Sequence, residues 1–440
     1  MAYPKTTAIE IHINGQWVPA AQLRAFSDDR LQFGYLDEYV FSGSTTPVAL
    51  GYPVGIFPES MRDGPLGPEP DRRPPAFLYD LVPQGRGRKY LLSTLQIADG
   101  DDVVAPLVMA GAFNPIGRLR LASAVEFFQD EVTKSGASST TEGFGLEDIL
   151  QKSDEFLNQM SLHSMLASGA TGVQGVAPKF LLTTDKSGRW FADLAVSDQL
   201  AQEHWLIKLP RGRSEDDRSV LRNEAAYLKV AARMGIRTHH EPMQHGEMLF
   251  VRRFDRVVTT HGVHRLHQES VASLCGQRGF GVPQSQQDLL RAIRQFVDDP
   301  LAETIEFMKR DVLNQALRNT DNHARNTAVQ ITVDGRVQLT PLFDFAPMFK
   351  DPEVVPRSYH WLDTKGVRQE NWGQIIEALD VQGTERAVIA REMQAFASKV
   401  EGLESVAIDC GVEADIVRAC LKSIEVQSYQ LRSIPEAPRG

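Results

Sequence analysis

The octapeptide NTDNHARN, Asn319–Asn326, crowds Asp321, His323, Arg325 and three asparagines between an apolar-periodic helical stretch and a strand-like TAVQITV. Asn and Asp suit a solvated turn, because both tolerate turn geometry and cap backbone groups. A His two residues beyond the Asp and an Asn five beyond it are not explained by a turn alone. An Asp so placed can accept or orient the proton of an attacking hydroxyl, and an Asn amide oxygen can ligate a metal ion.

Other residues extend this chemistry. Lys208 interrupts the apolar run HWLIKLP, either as an edge-strand gatekeeper or as a cation for nucleotide phosphates. Glu224 lies on the next helical stretch, either as an exposed residue of an amphipathic helix or as the carboxylate that orients the lysine. Asp344, in LTPLFDFAPM, follows a strand and suits an Mg²⁺ ion that bridges phosphate oxygens. The small-residue run SGATGVQG, Ser168–Gly175, can turn backbone N–H groups toward an anion or simply link two elements. Cradle, strand lysine, helix glutamate, loop Asp and Asn, and a second Asp are the parts that phosphoryl transfer requires. The Asp321-to-Asn326 spacing equals that of a protein-kinase catalytic loop. His323 either packs or braces the loop, and Arg325 has no assignable role. His239, His240 and His245 lack cysteine partners and do not read as a metal set, while Arg252, Arg253, Asp255 and Arg256 read as a surface charge network.

These residues need elements to position them. AIEIHING alternates apolar and polar residues and ends in Asn-Gly, the signal of a hairpin. The Pro- and Gly-rich run from Gly51 to Phe77 reads mostly as loop, and KSGASSTTEGFG, residues 134–145, as a linker. KFLLTT, RWFADLAV, HWLIKLP and GEMLFVRRFDR read as strands. SVLRNEAAYLKVAARMG predicts a helix with Leu221, Ala225, Leu228 and Ala232 on one face and a glycine stop. Beyond residue 265 the periods are helical, except for TAVQITV and RVQLTPLF around Asp334-Gly335, which predict a hairpin with a type I′ turn.

Composition bounds the partners. The 440 residues suit two or three domains, and 42% hydrophobic with 24% charged residues is a globular balance. No run approaches the about 20 apolar residues that cross a bilayer, and the N-terminus lacks the layout of a signal peptide. No membrane partner is expected. Three scattered cysteines offer neither a disulfide framework nor a metal spacing, so a reducing cytoplasm is the expected compartment. A net charge of −10 argues against direct nucleic-acid binding, which needs a basic footprint.

GVAPKFLL, HWLIKLP, NEAAYL, FVRRFDR, LHQESV, NTDNHARN and LTPLFDFAPM, in that order from about residue 168 to 350, resemble the HipA family of serine/threonine kinases, the toxin components of bacterial persistence modules. YPVG…AFLYDLVPQGRGRKYLL…GRLRL is similar, more faintly, to that family's small N-terminal subdomain. The resemblance implies ATP and Mg²⁺ as cofactors, Lys208 on the ATP phosphates, Asp321 as the catalytic aspartate, and Asn326 with Asp344 as metal ligands. It makes Lys179 the lysine that closes the Gly-rich motif of Gly172 and Gly175, and the backbone from Arg252 to Phe254 the hinge that holds adenine. The family carries an autophosphorylated Ser before that lysine; the matching position is Gly172, so the nearby Thr171 and Ser168 are the candidates. The Arg252 position is familiarly Glu in relatives. The resemblance further implies a helix-turn-helix antitoxin partner and a protein substrate, which in relatives is an aminoacyl-tRNA synthetase.

The expectation is an α+β, two-lobed protein-kinase-like fold: a β-rich N-terminal subdomain (1–140), an N-lobe with the Gly-rich loop (145–258), and an all-α C-terminal lobe carrying catalytic loop and metal-binding hairpin (259–440). ATP is expected between the lobes. A small-molecule or lipid kinase, and a non-catalytic ATP-binding scaffold beside a DNA-binding protein, are the competing readings.

Overall fold

The structure, a computed structural model, describes residues 3–56, 61–64, 67–135, 143–151, 179–260 and 262–435. It mixes helix and sheet and divides into two compact units. The first comprises Met1–Lys208, Arg252–Phe280 and Gln330–Asp334; the second comprises Leu209–Val251, Gly281–Val329 and Gly335–Gly440.

In the first unit an antiparallel sheet runs in the order Arg30–Tyr35, Gln16–Ser27, Thr6–Ile13, Leu119–Leu121. The Asn-Gly signal forms the expected turn: Asn14 and Gly15 have φ of 50° and 79°, and Ile13 pairs with Gln16. Both central residues at positive φ define a type I′ turn, whose twist matches that of the strands. Ile9 and Ile11 point into the core, while Glu10 between them pairs with Arg120 across the sheet edge. The helix Val104–Gly111 is buried along its whole length, as its apolar sequence VAPLVMAG demands. It packs with the helix Ala122–Ser135, where Phe113 and Phe128 stack at 4.2 Å. The Pro- and Gly-rich run expected as loop holds a short hairpin, Met61–Gly64 with Gly67–Pro70.

A second sheet in this unit sets Lys179–Asp185 between Trp190–Ala192 and Ala201–Lys208, all antiparallel. The strand expected over RWFADLAV is only Trp190–Ala192.

The second unit is mainly helical. Ser214 caps the helix Glu215–Arg233 by accepting from Asp217 N, and Asp217 reaches back to Ser214 N. Gly235, at φ 85°, ends it as expected. Its apolar face is wider than the sequence suggested: Leu221, Ala225 and Leu228 are buried, but Ala232 is exposed and Ala231 takes its place. The helix Pro300–Ala316, with Asp299 as N-cap and Pro at its first position, packs against Gln286–Phe296, Gly383–Glu401 and Ala414–Arg432.

Two expectations beyond residue 265 are corrected. That region is not all-α apart from one hairpin, since Trp361–Leu362 pairs with Arg368–Gln369 and His267–Ser270 is also extended. The type I′ turn at Asp334-Gly335 does not form. Only Gly335 has positive φ, and the strands Ala328–Ile331 and Val337–Leu339 leave a longer loop between them. Type I′ needs both residues in the left-handed region, and Asp334 stays outside it.

Candidate active site

The loop Asn319–Asn326 leaves the helix Pro300–Ala316 through Arg318, whose φ of 56° turns the chain out of the helix. The Tyr227 hydroxyl, from the helix Glu215–Arg233, donates to the Leu317 carbonyl at 2.9 Å and holds this exit. Asn319 Nδ2 then donates to Asn314 Oδ1 at 2.9 Å.

Within the loop, Asn326 folds back on Asp321. Its Nδ2 donates to the Asp321 carbonyl at 2.8 Å and approaches Asp321 Oδ2 at 3.4 Å. The nitrogen end of this amide is thereby engaged, so the oxygen is the end available to a cation. His323 Nδ1 accepts from Asn326 N at 3.2 Å, which leaves the ring proton of a neutral His323 on Nε2. That nitrogen lies 3.3 Å from Asp321 Oδ1 but off the line of a hydrogen bond. Burial lowers the His323 pKa and the Arg325 charge lowers it further, while Asp321 and Asp344 oppose them. Arg325, without a role in the sequence, is therefore a buried cation that favours the neutral ring.

Asp321 is a carboxylate poised rather than saturated. Its side chain keeps 24% of its surface exposed. Burial raises its pKa, Asp344 adds to the rise by like-charge repulsion, and His323 and Asn326 counter it. Asp344 itself has φ 50°. Asp enters that region more readily than most residues, yet it is strained there, and such strain concentrates where a side chain must be aimed.

The segment before Asp344 is fixed from behind. Leu342 N donates to the Arg237 carbonyl at 2.8 Å, and the Arg237 guanidinium forks onto Glu303 at 2.8 and 3.0 Å. Phe345, the residue after Asp344, packs on Tyr227 with ring centroids 5.2 Å apart. Tyr227 thus touches both the helix exit before Asp321 and the segment after Asp344. Asp321, Asn326 and Asp344 line one small open cleft with Asp311, Asn314, Asn319 and Asn322.

Glu224 belongs to this second unit and is buried at 6% exposure, against the plain expectation for an amphipathic helix. Lys208 belongs to the first unit, also at 6% exposure. The strand register sets Lys208 directly opposite Lys179. Their side chains share one face, with Cβ atoms about 5 Å apart. Two cations so placed can approach one anion bound against that face.

Around the expected hinge, Arg252 and Phe254 are half-buried and Arg253 and Asp255 point inward. The surface charge network expected over Arg252–Arg256 is corrected: Arg253, Asp255 and Arg256 are buried. Arg253 bridges Asp255 at 2.8 Å and Asp193 at 2.8 Å, and Asp193 also accepts from His204 Nδ1 and Asn114 Nδ2. Asp255 further accepts from Gly117 N at 2.7 Å. Gly117 has φ 92°, a conformation only glycine adopts at low cost.

Ser168, Thr171, Gly172 and Gly175 lie outside the described residues. His239 and His240 pack edge to face, and among the described residues no three His, Cys, Asp or Glu side chains could hold a metal ion by themselves. Asp344 and Asn326 offer hard oxygen donors of the kind Mg²⁺ accepts beside phosphate oxygens and water. The residues that sequence reasoning missed, Tyr227, Arg237, Asp311 and Arg357, act through partners distant along the chain.

The fold and cleft define a class of α+β protein with a loop Asp and Asn facing a second, strained Asp. Residues 171–402 match the model of the HipA-like C-terminal domain, and the chain belongs to that family. Its fold is similar to that of HipA from the Shewanella oneidensis MR-1 toxin–antitoxin system, solved with HipB and its operator DNA. That likeness covers 97% of this chain and 96% of the other, with a TM-score of 0.62 and 16% identity. The Helicobacter pylori proinflammatory kinase CtkA matches with a TM-score of 0.37 and 14% identity, over 53% of this chain and 90% of that one. No curated protein matches the sequence. Among the described residues no helix is long and apolar enough to cross a membrane.

Proposed function

We propose that this chain is an ATP- and Mg²⁺-dependent serine/threonine protein kinase of the HipA type. The observation that carries the reading is the cleft itself: Asp321, Asn326 and Asp344 line one space, with Asn326 folded onto Asp321. In this reading Asp321 faces the acceptor hydroxyl and orients or receives its proton. Asn326 Oδ1 and the Asp344 carboxylate would hold Mg²⁺, which supplies charge neutralisation at the phosphates when bound. Lys208 and Lys179 meet the phosphate anions, Glu224 orients Lys208, and the backbone from Arg252 to Phe254 holds adenine. Ser168 and Thr171 are the autophosphorylation candidates beside Gly172 and Gly175. His323 braces the loop.

The substrate of this reading is a cytoplasmic protein, an aminoacyl-tRNA synthetase being the class implied by the family. The partner is a helix-turn-helix antitoxin, an idea supported by the HipB complex of the Shewanella protein. DNA would be met through that partner, because the chain carries a net charge of −10.

The test is incubation with labelled ATP, Mg²⁺ and cell lysate, comparing wild type with Asp321→Asn. Wild type is expected to label a protein band, and the variant to lose at least about a thousandfold in rate while melting as wild type does. Equal labelling by both would remove Asp321 from the chemistry. Labelling of a small molecule or lipid in place of protein would move the acceptor class.

A further inference from the structure

We propose that Arg357 is a positioning residue for Asp321, clamping the loop through its neighbour Asn322 to the helix carboxylate of Asp311. The inference rests on the reading of Asp321 as the residue facing the acceptor.

Asp311 lies on the helix Pro300–Ala316 and is almost fully buried. It carries four hydrogen bonds. Arg357 Nη2 donates to Oδ1 at 2.6 Å and to Oδ2 at 2.9 Å, Trp361 Nε1 to Oδ2 at 2.8 Å, and Gln315 Nε2 to Oδ2 at 3.0 Å. The same guanidinium reaches the loop. The amide orientation of Asn322 that satisfies both of its ends turns the oxygen inward, where it accepts from both Arg357 Nη atoms at 3.2 Å and from Gln286 Nε2 at 2.7 Å. Asn322 follows Asp321 directly, so a shift of this amide moves the Asp321 backbone. Asp311, Asn322 and Asp321 line the same cleft.

The segment that delivers Arg357 follows Asp344 and is docked by further hydrogen bonds. Tyr359 Oη donates to the Val282 carbonyl at 2.6 Å, Gln286 N donates to the His360 carbonyl at 2.9 Å, and Leu362 N donates to Gln287 Oε1 at 2.8 Å. Upstream of it, Val354 has φ 53° and is 78% exposed, so the chain between Asp344 and Arg357 includes a strained, solvent-facing turn. A docked Arg357 therefore joins three elements: the helix, the loop and the post-Asp344 segment. The guanidinium presents Nη2 to both Asp311 oxygens and adds Nη1 toward Asn322; the single nitrogen of a lysine can replace the Asp311 contact but gives up the Nη1 contact to Asn322.

That difference supplies the test. Arg357→Lys keeps a cation beside Asp311, so the chain should melt within a few degrees of wild type. Amide hydrogen exchange of residues 319–326 should accelerate about tenfold or more, with the helix Pro300–Ala316 unchanged. In the phosphotransfer assay kcat should fall between about tenfold and about a hundredfold, with KM for ATP within about twofold. Asn322→Ala should reproduce both changes, and the double variant should be no worse than either single one.

Wild-type exchange in the loop of Arg357→Lys would overturn the proposal. So would additive losses in the double variant, or a loss of kcat that only tracks a lower melting temperature. If wild type transfers no phosphate, the kinase reading fails by itself, and the exchange measurement still decides whether Arg357 clamps the loop.

Discussion

Two clusters of Asp, His and Arg occupy the two units, and similar side chains are set to opposite purposes. In the first unit Asp193 and Asp255 are sealed from water and receive donors on both oxygens: Asp193 from Thr183, His204, Asn114 and Arg253, Asp255 from Arg253, Arg256 and Gly117. Burial alone would raise both carboxyls. The charges beside them, Arg253 foremost, overcome it and hold both well below the ordinary range. In the second unit Asp321 meets a neutral His323 and a second carboxylate, keeps part of its surface open, and is raised. A carboxylate locked in its ionised form holds a fold together. A carboxylate left under-compensated beside a cleft is available for a proton or a cation.

The comparison breaks most visibly if Arg253 is removed. Arg253→Met leaves Asp193 and Asp255 buried beside each other without their shared cation, and should cost about 3–5 kcal/mol in chemical denaturation. A cost below about 1 kcal/mol, the worth of an exposed pair, would mean that the cluster is hydrated and that the contrast with Asp321 is false.

Acid should separate the clusters next. Because the folded pKa values of Asp193 and Asp255 lie below the unfolded value of about 4, the native state binds fewer protons than the unfolded one in that window. Their stabilisation is complete above about pH 5 and declines as pH falls toward their folded values. Denaturation curves from pH 7 to pH 3 should therefore lose stability with acid, and Asp193→Asn, less stable at pH 7, should lose less. Parallel curves for the two proteins would contradict the assignment.

The smallest effect sharpens the anion-binding side. Lys179→Met removes one of two cations opposed across the strands, and should change the stability of the nucleotide-free protein by no more than about 1 kcal/mol. With ATP present the variant should fall further below wild type, because it gains less from the ligand; thermal melting with and without nucleotide measures both. A variant destabilised equally in both conditions would make Lys179 a structural residue.

Much of the candidate site could be read from local spacing. Asp321 and Asn326 are close enough along the chain for one loop to fold them together, and the Asn326-to-Asp321 bond is such a contact. The burial of Lys208 in an apolar strand followed from the same local pattern. The charged run RRFDR misled because its inward partner, Asp193, lies 60 residues from Arg253 and nothing in the run announces it. Arg357 and Asp311 stand 46 residues apart and Tyr227 and Leu317 90, so their pairings have no local signature either.

The sequence by itself determined what short-range geometry can dictate: the Asn14-Gly15 turn, the Gly235 stop, and the order and spacing of the chemical groups. These depend on backbone sterics and on hydrogen bonds between residues a few positions apart, which the local chain encodes. Tertiary structure alone decided which charges lose their water and which keep it. Desolvation and ion pairing depend on every element packed around a group, so the same Asp is a locked strut at 193 and a poised carboxylate at 321.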